Sequence, residues 1–285
     1  MLLYRLLLSL ALLLSYSSAS QSQGLLIEGQ VLNTRTNEPV PFAILGIRGR
    51  SIGTAADEQG RYVLRLSDLN DTLIVSCVGF QRYLVSPALL VAGQRVFRLN
   101  PQDQVLQGVR VEHRRLRPGL LGRSNEKYNL RWTGGSSGKT TVDDEWGWEI
   151  GALLEPTRRT YLEEFHVYLA DNKYEQLRFR LNLYTIENNE PAEPLLSQDI
   201  QLICPTNSKG WFTVDLRSYD IVLDGQPVAA TIQWIQSEKT APEQKYFSIP
   251  VIRQSRRGMV ERENGNASWT IHNMQPSLYF TVMTE

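Results

Sequence analysis

The feature that most limits what this chain can become is a two-residue alternation of apolar and polar side chains. Phe179, Leu181 and Leu183 alternate with Arg178, Arg180 and Asn182. Successive side chains of a strand point to opposite faces, so this pattern predicts a strand with one face in a core and the other in water. The same period runs through Tyr62, Leu64 and Leu66, with Arg61 and Arg65 facing the other way, and through Phe165, Val167 and Leu169. It returns in Phe212, Val214 and Leu216, in Val228, Ala230, Ile232 and Trp234, and in Leu278, Phe280 and Val282. Turn-forming pairs punctuate these runs at Asn188-Asn189, Asp224-Gly225 and Asn264-Gly265. Only Pro87 to Ala92 reads as a short helix. The expectation is an all-β chain with strands at sandwich spacing.

The first twenty residues do not fit that pattern. Arg5 precedes an apolar run from Leu6 to Leu14, and small residues follow from Ser15 to Ser20. This order predicts a signal peptide over residues 1–20, cleaved near Ala19 or Ser20. The run falls short of the roughly 20 residues that span a bilayer, and no later segment is long and apolar enough to cross as a helix. The expected location is beyond the inner membrane, in the periplasm, on the outer-membrane surface or in the medium.

The remaining length of about 260 residues suits two domains. A break is expected across residues 112–130, where His113-Arg-Arg-Leu-Arg-Pro-Gly119 lacks strand alternation. With 30 basic and 30 acidic side chains the formal charge is balanced, which argues against a nucleic-acid partner. Cys77 lies in an apolar strand pattern and Cys204 precedes Pro205 in a segment expected to be a loop. A disulfide between them is not expected.

The densest set of signals lies between Gly29 and Phe80. It comprises Gly29-Gln-Val31, Glu38-Pro-Val-Pro-Phe-Ala43, Gly53-Thr54, Asp57-Glu-Gln-Gly-Arg-Tyr62 and Asp71-Thr-Leu-Ile-Val-Ser-Cys-Val-Gly-Phe80. Pro39 and Pro41 lack a backbone donor and belong at an edge or a strand entry. Asp57 is placed to accept backbone N–H groups just downstream, and Gly60 to take a left-handed conformation. Gly79 is read as a bulge or a close backbone approach. Asp57, Gly60 and Gly79 are therefore structural turn residues.

Together these motifs resemble the carboxypeptidase-regulatory-like domain, a transthyretin-like β-sandwich of bacterial envelope proteins, over residues 25–111. The resemblance implies an accessory module rather than a catalyst. In this family the domain usually precedes a TonB-dependent receptor, for which this chain is too short. Residues 131–285 resemble, through Arg180-Leu-Asn-Leu-Tyr184 and Gly210-Trp-Phe-Thr-Val-Asp-Leu216, a jelly-roll or galactose-binding-like β-sandwich.

Candidate chemistry is sparse. None of His113, His166 and His272 begins a His-x-x-Glu pair, so no zinc site is expected. Gly134-Gly-Ser-Ser-Gly138 matches a nucleophile elbow by letter, but its surroundings are not strand-then-helix and it reads as a flexible loop. Gly138-Lys-Thr140 imitates a phosphate loop with Thr133 where the first glycine should stand. The cluster Asp143-Asp-Glu-Trp-Gly-Trp-Glu149 leaves two readings open. Trp146 and Trp148 could stack on a sugar that Asp143 and Asp144 orient, or one of them packs the sandwich; packing is favoured. The functional expectation is a non-enzymatic exported protein, without cofactor or metal, that binds or scaffolds another envelope component, an envelope protein or a glycan, through its two sandwiches. Glycan binding is the alternative and hydrolysis a distant one.

Overall fold

A computed structural model describes residues 24–102, 116–135, 146–238, 245–253 and 258–285. Expectations placed on residues 1–20, Val105 to Val111, His113 and Gly138 to Asp144 lie outside the described residues. Strand accounts for 58% of the protein and helix for 3%. The protein is all-β.

The first sandwich is built from two small sheets. Leu25–Asn33 lies between Arg61–Leu66, to which it is antiparallel, and Val96–Leu99, to which it is parallel. The facing sheet has the order Gly53–Ala55, Ile44–Ile47, Leu73–Ser76, Tyr83–Val85. Between them Ile27, Val31, Leu45, Leu64 and Phe97 are buried to the last few square ångströms. Tyr62 stacks on Phe97 at 5.6 Å and donates its hydroxyl to the Arg95 carbonyl at 2.9 Å, which satisfies the one polar atom it carries inward. Pro87–Val91 is a short helix with proline in its first turn, where the missing N–H costs nothing.

The turn before Arg61–Leu66 is closed by Asp57. Its Oδ1 accepts the backbone N–H groups of Gln59 at 2.9 Å and Arg61 at 2.8 Å, and its Oδ2 accepts Arg61 Nε at 3.0 Å. Gly60 has φ +68, and a Cβ there would stand 2.6 Å from the Val31 carbonyl oxygen. Both conditions require glycine.

The second sandwich is larger, and its long strands alternate between its two layers. One layer carries Glu149–Leu154, Leu177–Glu187, Val228–Ser237, Met259–Arg262 and Thr270–His272, with Glu190–Pro194 and Ile200–Cys204 along one edge. The other has the order Gly210–Asp215, Arg159–Leu169, Leu278–Thr284, Arg117–Gly122. Tyr246–Arg253 pairs with Leu130–Gly135 and Met274–Pro276 and continues that second layer, the Ala170 N–H meeting the Ser248 carbonyl at 2.9 Å. Asn188 and Asn189, at φ 52 and 64, form the two-residue hairpin loop between Leu177–Glu187 and Glu190–Pro194. The core holds Phe165, Phe179, Leu181, Trp234, Phe247 and Phe280.

Three local expectations change. Arg117–Gly122 was expected in a connection but pairs in register with Leu278–Thr284. It is an edge strand whose residues are mostly exposed, so burial imposes no alternation on it, and Pro118 and Gly119 are tolerated there. Gly134 and Gly135, expected in a flexible loop, end a strand opposite Phe247 and Tyr246. Cys204, also expected in a loop, ends the Ile200–Cys204 strand and is fully buried. Cys77 and Cys204 are both free thiols.

The largest departure concerns Leu177–Glu187. Its polar face was expected in water, yet Arg180 is 1% exposed and Asn182 7%. The first sandwich lies on that face. Phe42, Ile44 and Ala55 of the first sandwich join the core of the second. Asn264 reaches back the other way, donating Nδ2 to the Arg50 carbonyl at 2.9 Å, and the Asn266 Nδ2 meets the Ile74 carbonyl at 3.3 Å. Gly46 and Gly53 make room for it, since a Cβ on either would come within 3 Å of the Asn264 side chain.

Candidate functional site

The junction between the sandwiches buries the charged side chains of Glu149 and Arg180. Four strands bring polar residues into one row across the sheet: Arg262 pairs opposite Glu149, Glu149 opposite Gln233, and Gln233 opposite Arg180. Glu149 is wholly buried. Its Oε1 accepts Asn182 Nδ2 at 2.8 Å, the Tyr184 hydroxyl at 2.9 Å and the Thr231 hydroxyl. Its Oε2 accepts Arg262 Nε at 2.8 Å and Nη2 at 2.5 Å. A buried carboxylate is tolerated only with such a complete shell. The Arg262 guanidinium also lies 4.0 Å above the Trp269 ring, a cation–π contact. Burial, with the Glu149 charge adding to it, pushes the Tyr184 phenol well above its ordinary range, so Tyr184 stays a neutral donor.

Arg180 occupies the other end of the row. It forms a two-armed pair with Asp199, Nε to Oδ1 at 2.5 Å and Nη2 to Oδ2 at 3.0 Å, and donates Nη1 to the Phe42 carbonyl at 3.1 Å. Burial works against the charges of both partners, but their mutual attraction outweighs it, raising the pKa of Arg180 and lowering that of Asp199. Phe42 has φ 54, a left-handed conformation unfavourable for a bulky residue. Its carbonyl is held by Arg180, and its ring lies under Arg178 at 5.0 Å. Arg178 in turn pairs with Glu58 of the first sandwich at 3.2 Å. Docking of the second sandwich is what holds that strained backbone in place.

Between these groups is a cavity of about 110 Å³, opening outward into a groove of about 680 Å³. Cys77, Arg82, Arg180, Asn182, Gln233 and Arg262 line the inner part. Gly79 stands at its mouth with φ +80, its carbonyl accepting the Gln102 N–H at 2.8 Å, and a Cβ there would meet the Ser197 carbonyl at 3.2 Å. Burial raises the Cys77 thiol above its ordinary pKa, with the neighbouring Arg180 opposing it.

The two tryptophans singled out from sequence part company. Trp146 is 5% exposed, belongs to the second core and donates Nε1 to the Ser237 hydroxyl at 3.2 Å. Its ring is packed into the core, the role the sequence reading favoured for one of the two tryptophans, with an edge lining a surface pocket beside Tyr62 and Asp57. Trp148 is half-buried and tilted against Trp132 at 6.1 Å. Asp143 and Asp144 lie outside the described residues. His166 stacks on Tyr279 at 4.3 Å and contacts Thr213 Oγ1 at 2.9 Å, and burial lowers its pKa against the opposing pull of Glu164. His272 meets Glu261 at 2.7 Å. Among the described residues no group of three or more His, Cys, Asp or Glu could hold a metal ion.

Sequence reasoning missed Glu149, Arg180, Arg262 and Tyr184 as a set. The one available signal was an arginine-and-asparagine face on an otherwise well-formed strand. A single strand does not say what lies across from it.

Residues 27–109 match the model of the CarboxypepD_reg-like domain. This domain supplies Phe42, Cys77, Gly79 and Arg82 to the junction. No curated protein matches the chain. Among solved structures, the infectious bursal disease virus Gx strain is similar at 11% identity and a TM-score of 0.29, over 91% of this chain and 60% of that one. The Gt strain of the same virus gives 11% and 0.27, over 91% and 59%. The chain spans about 60% of the length of those viral chains. Likeness at that level carries no argument about this protein.

Proposed function

We propose that this is a non-enzymatic protein exported to the bacterial envelope, in which a transthyretin-like and a jelly-roll-like sandwich act as one rigid body that binds or scaffolds another envelope component. The observation that carries the reading is the buried Arg180 at the junction, held at once by Asp199 of its own sandwich and by the Phe42 carbonyl of the CarboxypepD_reg-like domain. An accessory module tethered for mobility would not bury a charge against its neighbour. The signal peptide expected over residues 1–20 and the CarboxypepD_reg-like domain support an envelope location. Calorimetry of the mature chain tests rigidity: one cooperative transition is expected, and two separate ones would defeat the reading. Cross-linking in intact producing cells tests the scaffold role, with a discrete adduct to one envelope component as the expected result.

A second reading is glycan binding, on a platform other than Trp146. Trp211 packs edge-on against Tyr168 at 5.2 Å and Tyr279 at 5.0 Å on the outer face of the Arg159–Leu169 sheet. These half-buried rings are flanked by Thr213, Glu164 and Arg217. Retention on a polysaccharide array that Trp211→Ala abolishes, with the melting temperature little changed, would put this reading first.

A further inference from the structure

We propose that the cavity between the two sandwiches is a binding site for a small ligand with an oxyanion head and an apolar body. The proposal rests on the binding reading above and gives it a ligand class. Three observations carry it.

The first is charge. Three guanidiniums line the inner cavity, those of Arg82, Arg180 and Arg262, and no carboxylate does. Asp199 and Glu149, which balance Arg180 and Arg262, stand outside the cavity lining. Arg82 forms no ion pair or hydrogen bond with another described residue, and its positive charge reaches Tyr184. The Arg180 and Arg262 charges are balanced by those carboxylates, so the uncompensated positive charge at the cavity is that of Arg82, at its exposed rim.

The second is the supply of neutral donors. Asn182 and Gln233 also line the space. Each amide gives one N–H to the protein, to Glu149 and to the Gly147 carbonyl, and keeps a second for an oxyanion, whereas the Tyr184 hydroxyl is already given to Glu149. Charge-assisted hydrogen bonds from arginine favour the planar fork of a carboxylate or the oxygens of a phosphate. Arg180 and Arg262 are held in place before any ligand arrives, which reduces the ordering cost of binding.

The third is shape. A volume of about 110 Å³ is several times the ~10–15 Å³ that one water requires. The inner space opens into the larger groove past Phe80, Pro194 and Leu196. The path from the arginine-lined pocket runs along the apolar side of that groove, formed by Phe80, Pro194, Leu195 and Leu196, with Glu193 and Gln102 on its polar side, and fits a ligand whose head enters first. A junction between domains is a common place for such sites.

The test uses the mature full-length chain and three probes, acetate, hexanoate and inorganic phosphate, titrated calorimetrically at constant ionic strength against chloride. Saturable binding is expected for hexanoate, roughly tenfold or more tighter than acetate because its chain covers apolar groove surface. Phosphate distinguishes the source of the oxyanion: binding tighter than hexanoate assigns a phosphate head, weaker binding a carboxylate. Arg82→Gln should weaken the bound probe by roughly tenfold or more, while Arg217→Gln, on the outer sheet face, should leave it unchanged. Arg82 is exposed, so its replacement leaves the fold intact. No saturable binding by any probe, or equal binding by Arg82→Gln, would overturn the proposal. If that happens while the chain still unfolds in one transition, the scaffold reading survives and only the ligand class is lost.

Discussion

The second sandwich has two outer faces that look alike in sequence and behave as opposites. On one, Glu164, His166 and Tyr168 project from Arg159–Leu169; on the other, Arg180, Asn182 and Tyr184 project from Leu177–Glu187. Glu164 pairs with Arg217 at 2.9 Å, and the two side chains are 28% and 54% exposed. Glu149, on the covered face, pairs with Arg262 at 2.5 Å and is 0% exposed. The chemistry of the two pairs is the same and their surroundings are not. In water, an ion pair gains little because solvent screens it. Under the CarboxypepD_reg-like domain, each charge depends on its partner because no water replaces it.

The sharpest way to break this comparison is to remove one carboxylate from each face. Glu149→Ala should destabilise the protein by about 3–5 kcal/mol, since it strands a buried guanidinium. Glu164→Ala should cost no more than about 1 kcal/mol. Equal losses in chemical denaturation would show that covering the face does not govern the energetics.

A second cut falls at the seam itself. Asp199→Ala should cost about 3 kcal/mol and broaden or split the single unfolding transition, because Arg180 then loses its counter-charge at the contact with Phe42. The same pair predicts acid sensitivity. The folded pKa of Asp199 is held below its ordinary 3.8, so the unfolded chain binds the proton more readily. The pair's contribution is therefore complete above that ordinary value and is lost as pH falls through the folded one. Acid titration of wild type against Asp199→Asn should show this loss only in the wild type.

Gly60→Val tests the covering domain rather than the seam. The φ of +68 and the 2.6 Å approach to the Val31 carbonyl predict a loss of about 1–3 kcal/mol. Thermal melts would check it, and an unchanged transition would mean that the turn relaxes freely.

The smallest expected effect belongs to the outer face. Burial lowers the pKa of His166 below its ordinary 6.5. Its neutral form is thus the folded one, and stability should fall as pH drops below 6.5. His166→Gln should flatten that slope between pH 7 and 5 in denaturant titrations. A steeper slope in the variant would reverse the assignment.

Much of the architecture follows from local rules. Alternation places Phe179, Leu181 and Leu183 in a core whatever packs against them, because a strand has only two faces. The Asp57 turn is equally local, a side chain satisfying N–H groups two and four residues on. Arg117–Gly122 was illegible for the converse reason: an exposed edge strand buries too little to leave a pattern. What composition and period could not decide was which polar face stays wet. Arg180 and Glu164 each alternate with core residues, and nothing within their own strands separates them. That distinction was made by the tertiary structure, when Phe42, Ile44 and Ala55 of one sandwich entered the core of the other and closed over one face. Burial belongs to the pair of surfaces that meet, and one strand encodes only its own side.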